Sequence, residues 1–102
     1  MERVGGDEEL LREIAVLFLG EYPGLIEDIG VAVATSDPDR LQRAAHTLKG
    51  SLGTLGAERA YPLALELEMK GRHKQMDGAS QYYQQLLTCI QSLHEELASL
   101  NA

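Results

Sequence analysis

The last quarter of the chain carries an apolar residue at every third or fourth position, and this spacing constrains the fold more than any other feature. The intervals along the run are 3-4-3-4-3, and its members are Tyr83, Leu86, Ile90, Leu93, Leu97 and Leu100. An α-helix has about 3.6 residues per turn, so these side chains form one stripe along a helix. Such a stripe packs against antiparallel neighbouring helices.

Two earlier segments with the same periodicity lie before residue 35. The first runs from about residue 7 to residue 20, and Asp7 is its expected N-cap. Its predicted apolar stripe consists of Leu10, Leu11, Ile14, Leu17 and Phe18. Pro23 and Gly24 are typical of a break, so we predict that a separate second segment follows and ends near Val33.

The third and fourth segments have clear start and stop signals. Asp37 can cap a helix over 38–55, because the proline that follows it suits the first helical position. The fourth segment covers about 60–71, since Pro62 is tolerated only in a first turn. A polar loop over 72–78 precedes the last helix. We therefore predict an all-α chain, an antiparallel up-and-down four-helix bundle with an additional N-terminal helix.

The composition limits the classes of function. The 102 residues are enough for one domain, which we assign to 1–102. A formal net charge of −7 argues against general nucleic-acid binding, which depends on neutralising phosphates. The single cysteine, Cys89, excludes an internal disulfide, and no apolar run is long enough to insert into a membrane. We expect a soluble, intracellular, acidic domain.

The water-facing side of the third helix differs from ordinary bundle sequence. At 100° per residue, the residues within roughly 60° of His46 are Gln42, Arg43, Lys49, Gly50 and Gly53. A glycine in a helix interior costs about 0.8–1 kcal/mol relative to alanine, so two of them need a reason. They leave the imidazole of His46 clear of neighbours and let another protein's backbone come close. The alternative is a helix that already breaks before Gly56.

The chemistry of this face favours phosphoryl transfer. A neutral imidazole is a competent nucleophile near pH 7, since its unperturbed pKa is about 6.5. Attack by Nε2 of His46 on a phosphoryl group would give a phosphohistidine. Lys49, one turn further on, is placed to offset the charge of the phosphoryl oxygens. A solitary surface histidine or lysine is most often only solvated. The functional interpretation therefore depends on the whole run of residues around His46.

The run AHTLKGS at 45–51, followed by LGA at 55–57, resembles the signature of histidine-containing phosphotransfer (HPt) domains. The family pattern is H-x-L-K-G-S/A, then a small or apolar stretch, then a hydrophobic residue and glycine. The resemblance extends to 10–22, 37–41 and 67–68 and so covers nearly the whole chain. The sequence departs from the pattern at Leu52-Gly53, where small residues are usual, and at Pro62.

The resemblance implies a four-helix bundle and a role for each matching residue. His46 would be the phospho-acceptor, Lys49 would lie near the phosphoryl group, and Gly50 would keep room for the partner. Glu68 matches the position whose Gln or Glu side chain bonds the histidine Nδ1. That bond would fix the tautomer and leave Nε2 free. The alternative for Glu68 is a solvated acidic residue beside the stripe that contains Leu67.

We interpret the chain as a phosphorelay intermediate, a carrier rather than an autonomous enzyme. His46 would receive a phosphoryl group from an aspartyl phosphate on one receiver domain and pass it to an aspartate on another. No cofactor is expected on this chain, because the receiver would supply the Mg²⁺. The chain resembles the C-terminal HPt module of hybrid sensor kinases, which would place it in the cytoplasm, on its own or as part of a membrane-anchored kinase.

Three other functions remain open from the sequence. The chain could be the phospho-accepting domain of a chemotaxis-type histidine kinase, whose donor is ATP on a separate domain. It could be a helical adaptor in which the histidine is incidental. Metal binding through His46, His73 and His94 is disfavoured, since no two of them have the spacing of ligands on a helix.

Overall fold

A computed structural model describes residues 3–100, and it consists of four α-helices with short connections. The helices are α1 (Arg3–Thr35), α2 (Pro38–Leu55), α3 (Tyr61–Arg72) and α4 (Ala79–Leu100). Helix α1 packs against α2 and α4, and α3 packs against the same two helices. Short connections between successive packed helices give an up-and-down bundle, so the predicted all-α bundle is confirmed.

The prediction of an additional N-terminal helix is wrong, because the two predicted segments before residue 35 form one helix. Helix α1 is continuous with Pro23 inside it, and Asp7 lies within the helix instead of capping it. A proline in a helix interior costs about 3 kcal/mol. The packing opposes this cost, since Phe18 and Ile29, on opposite sides of the proline, belong to the same buried core.

The predicted stripe on the N-terminal half of α1 is also only partly correct. Phe18 is buried and Ile14 is half-buried. Leu17, in contrast, faces water and is 72% exposed. Leu10 and Leu11 are exposed as well. Residues 14, 17 and 18 share one face on a helical wheel, but the neighbouring helices cover only the part of that face around Phe18.

The boundaries of α2 and α3 follow their capping signals. The Asp37 side chain accepts a hydrogen bond from the Arg40 backbone N–H at 3.2 Å, as an N-cap does. Gly56 ends α2 in the left-handed conformation, with φ 72°. Pro62 lies in the first turn of α3, where its missing N–H costs no helical hydrogen bond. The predicted start of this helix near Ala60 is confirmed.

One side of α2 packs into the core, and the opposite side faces water. The buried residues of α2 are Leu41, Ala44, Ala45, Leu48 and Leu52. These residues lie on one side of α2, and His46 lies on the opposite, exposed side. Over residues 3–100, no helix combines the length and the apolar character needed to cross a lipid bilayer.

Candidate functional site

His46 projects from the middle of α2 into solvent. Its side chain is 65% exposed, although the preceding Ala45 is fully buried. The Nδ1 atom of the ring lies 2.8 Å from Oε2 of Glu68 on α3. The ring is therefore held on one edge by the neighbouring helix while the rest of it stays open to solvent.

Glu68 is the most unusual side chain of the site, because it is charged and only 1% exposed. Three groups surround its carboxylate. Lys49 Nζ lies 2.7 Å from Oε1, and Arg72 Nη2 lies 3.2 Å from Oε2, the oxygen that also contacts His46. The contact with Lys49 is an ion pair with a buried carboxylate.

The surroundings of Glu68 keep its carboxyl group ionised. Burial raises its pKa, but the contacts with Lys49 and His46 together outweigh burial, and the pKa lies below its usual value. An ionised carboxylate can only accept hydrogen bonds. The Nδ1 atom of His46 must therefore carry the proton and donate it to Glu68. In the neutral ring, this arrangement leaves the lone pair on Nε2, the nitrogen directed away from Glu68.

Two cations accompany the imidazole. Lys49 is 20% exposed and Arg72 is 51% exposed. Because neither side chain is fully buried, each can turn its charged group toward a ligand. Lys49 and Arg72 outnumber the single negative charge of Glu68. The site is thus locally positive in a chain whose net charge is −7. Such a site favours the approach of an anion.

The four other predicted site residues surround His46 on α2. Arg43, Gly50 and Gly53 are exposed, and Gln42 is half-buried. A Cβ added to Gly50 would meet no atom within 4 Å, so this glycine leaves open space one turn from His46. Gly53 differs, since a Cβ there would lie 3.3 Å from Cε2 of Tyr61.

Two features of the site are absent from the sequence interpretation. The first is Arg72, which the i, i+4 spacing from Glu68 could have suggested. The second is a shallow apolar groove beside the site. Val16 and Leu17 of α1 line it together with Ser51 and Thr54 of α2. The groove is not predicted from the sequence, because the helical periodicity assigns Leu17 to the buried stripe.

The other two histidines lie outside the site formed by His46 and Glu68. His73 is the C-cap of α3 and is exposed. His94 is on α4, where Tyr22 Oη lies 2.7 Å from its Nδ1. Within the part of the chain that the structure describes, no three His, Cys, Asp or Glu side chains are grouped to hold a metal ion.

These features together define a class of domain: a helical bundle that presents one histidine, held at Nδ1, beside cationic side chains. Comparison with known proteins identifies the family. The model of the Hpt domain family matches residues 13–98, so this chain belongs to the Hpt domain family. It is therefore a phosphotransfer domain of two-component signalling.

A curated relative and the solved structures complete the comparison. The chain is 37% identical over 62 residues to the sensor protein TorS of Escherichia coli (strain K12). The matched region is 61% of this chain but only 7% of TorS. No solved structure matches the chain.

Proposed function

We propose that this domain is a phosphorelay intermediate. His46 accepts a phosphoryl group from the aspartyl phosphate of one receiver domain and passes it to an aspartate of another. The domain acts in the cytoplasm as a carrier, with no cofactor of its own, and the receivers provide the Mg²⁺. The observation that carries the proposal is the hydrogen bond from Nδ1 of the exposed His46 to the buried carboxylate of Glu68, at 2.8 Å.

The transfer uses the Nε2 lone pair of His46 as the nucleophile. The lone pair forms a P–N bond while the P–O bond to the receiver's aspartate breaks, and its electron pair stays on that carboxylate. The ring becomes positively charged as the P–N bond forms. Glu68 stabilises this charge, because it is a carboxylate in hydrogen-bond contact with Nδ1–H. The return transfer to the second receiver is the same step in reverse.

Lys49 tunes the transfer through its charge. Phosphoryl transfer needs positioning and charge neutralisation more than covalent chemistry from the protein. Lys49 lies one turn from His46, and its ammonium group already reaches the carboxylate that holds the ring. In a complex from which water is excluded, this group offsets the charge of the phosphoryl oxygens.

The receiver docks on the face of α2 around His46. Gly50 provides open space, so a partner backbone can approach the imidazole. Arg43 and Gln42 lie on the N-terminal side of His46, and Gly53 lies beyond Gly50 on the other side. The receiver's aspartate then reaches Nε2 in line.

The test is a labelling experiment with two donors. The domain is incubated with receiver domains carrying radiolabelled phosphate and, separately, with a histidine kinase and ATP. We expect label from the receivers on the wild type, none on His46→Gln, and an unchanged amount on His94→Gln, the matched control. The bond should be labile in acid and durable in base, as a phosphoramidate is.

Each other outcome contradicts a stated part of the proposal. Label from the kinase and ATP alone would identify a chemotaxis-type phospho-acceptor instead of a relay intermediate. Label from neither donor would favour an adaptor. An acid-stable adduct would indicate Ser51 or Thr47, and label retained on His46→Gln would rule out His46 as the acceptor.

A further inference from the structure

Gly71 lies inside α3 at the place where this helix crosses α2, and it is buried. A Cβ at this position would lie 2.6 Å from the carbonyl oxygen of Pro38. It would also lie 2.7 Å from the backbone nitrogen of Gln42 and 3.0 Å from its Cα. All three neighbours are backbone atoms of α2, so no side-chain rotation could make room.

The glycine is not needed here to end a helix. Gly56 and Gly78 adopt positive φ values of 72° and 78°, the conformation for which glycine is favoured. Gly71 is not among the glycines with positive φ, and α3 continues to Arg72. Its missing side chain therefore matters because of the close approach of two helices.

The close approach adjoins the functional site on both helices. Gln42 precedes His46 by four residues, about one turn of α2. Gly71 follows Glu68 by three residues, again about one turn, on α3. The crossing and the hydrogen bond between His46 and Glu68 are thus neighbouring contacts of the same helix pair.

A side chain at position 71 would lengthen the hydrogen bond between His46 and Glu68. Carbon atoms in ordinary contact stand about 3.5–4.0 Å apart, so a methyl group would push the helices apart by roughly 1 Å. Hydrogen bonds from N–H to oxygen weaken beyond about 3.2 Å. The bond from His46 to Glu68 is 2.8 Å long, so a shift of that size would break it. Glu68 is buried, and Arg72 of the same helix holds its Oε2 atom, so the carboxylate moves with α3.

We infer that Gly71 is a positioning residue: it lets α3 approach α2 closely enough for Glu68 to hold the tautomer of His46. Its importance for phosphotransfer rests on the proposed function. The hydrogen bond between His46 and Glu68 is present whether or not the domain transfers phosphate.

The test is the nitrogen-15 NMR spectrum of the histidine rings in the unphosphorylated domain near neutral pH. Wild type should show His46 with a protonated Nδ1 and an unprotonated Nε2. In Gly71→Ala this single-tautomer pattern should be lost and replaced by a mixture, as in Glu68→Ala. The pattern of His94 should stay as in the wild type.

A matched control separates positioning from general loss of stability. Gly78 precedes α4 and has a φ of 78°, which strains any side chain, so Gly78→Ala destabilises the fold away from the contact of His46 with Glu68. It should lower the melting temperature and leave the His46 pattern unchanged. If Gly71→Ala does not fold in buffer, trimethylamine N-oxide is added, because this osmolyte favours the compact state.

Three results would overturn the inference. The first is a folded Gly71→Ala with the wild-type His46 pattern. The second is the same loss of pattern in Gly78→Ala. The third is a Gly71→Ala that stays unfolded in the osmolyte, which would make the glycine a requirement of the fold alone. Because no phosphoryl group takes part, the spectrum can support the inference even where labelling refutes the proposed function.

Discussion

Two histidines of this domain have similar local hydrogen bonds and very different surroundings. His46 on α2 and His94 on α4 both project from the bundle surface, and each has a partner within 2.8 Å of Nδ1. The partner of His46 is the buried, ionised Glu68, whereas that of His94 is the hydroxyl of Tyr22. A hydroxyl can donate or accept, so it does not fix the tautomer of His94, and a carboxylate does fix that of His46.

The residues that follow each histidine extend the contrast. At the fourth position after His46 stands Gly50, and at the fourth position after His94 stands Ala98. Lys49 accompanies His46, while the position three residues after His94 is the buried Leu97. Exposure and a bonded Nδ1 are common to His46 and His94, so these two features do not distinguish them. An obligate acceptor, a nearby cation and open space at Gly50, one turn away, set His46 apart.

The largest effect is expected from filling the open space beside His46. Gly50→Gln should lower the transfer rate by about a hundredfold, since a misplacement of about 1 Å can cost that much. The melting temperature should not fall, because the position faces open space. Ala98→Gln makes the same side chain one turn after His94 and should transfer normally. A Gly50→Gln domain that transfers at the wild-type rate would mean that the partner docks elsewhere.

A smaller loss is expected from removing the cation beside His46. Lys49→Ala removes a charge-assisted contact worth about 1.5–3 kcal/mol where water is excluded. Transfer should therefore slow by about tenfold or more without being abolished. Single-turnover transfer kinetics measure this loss. Complete loss would mean that Lys49 is essential for transfer, and an unchanged rate would limit its role to the ion pair with Glu68.

The carboxylate of Glu68 predicts a pH dependence of stability. Its folded-state pKa lies below the ordinary value of 4.5, since the contacts with Lys49 and His46 outweigh burial. The unfolded chain therefore binds this proton more readily than the folded domain. Glu68 thus contributes stability that is present above pH 4.5 and is lost as the pH falls through the folded-state pKa.

Denaturant unfolding between pH 3 and 7 measures this contribution. Glu68→Gln should show a shallower loss of stability on acidification than the wild type. Tyr22→Phe, which removes the partner of His94, should keep the wild-type slope. Equal slopes in wild type and Glu68→Gln would mean that the ion pairs of Glu68 add no stability.

The smallest effect is expected on stability when Gly50 is replaced by alanine. Gly50→Ala should stabilise the domain by up to about 1 kcal/mol, because alanine is the better helix former and its Cβ meets no atom. The melting temperature should rise accordingly. Gly56→Ala is the opposite control, since its φ of 72° strains any side chain and should lower the melting temperature. A fall in both would assign Gly50 to the fold instead of to the partner.

The sequence predicts the fold well where local signals dominate. The cap at Asp37, the proline in the first turn of α3 and the glycine after α2 all lie where their local chemistry indicates. The prediction fails at Pro23, because packing on both sides of it outweighs the local cost of a proline. It also fails at Leu17, since helical periodicity does not show how much of an apolar stripe the neighbouring helices cover.

The site is predictable only in part for a related reason. The spacing along α2 is enough to place His46, Lys49 and Gly50 together. The contact of Glu68 with His46 joins two helices, and only the resemblance to HPt domains suggested it. The role inferred for Gly71 depends on the distance between the axes of α2 and α3, which the packing sets. No periodicity in the sequence encodes that distance.

The most direct test of the central claim is to locate the phosphoryl group by nitrogen-15 and phosphorus NMR on the domain phosphorylated by a receiver. We predict a single P–N bond at Nε2 of His46, with the proton still on Nδ1. A phosphoryl group on Nδ1 of His46 would contradict the role of Glu68. A phosphoryl group on His73 or His94 would contradict the account altogether.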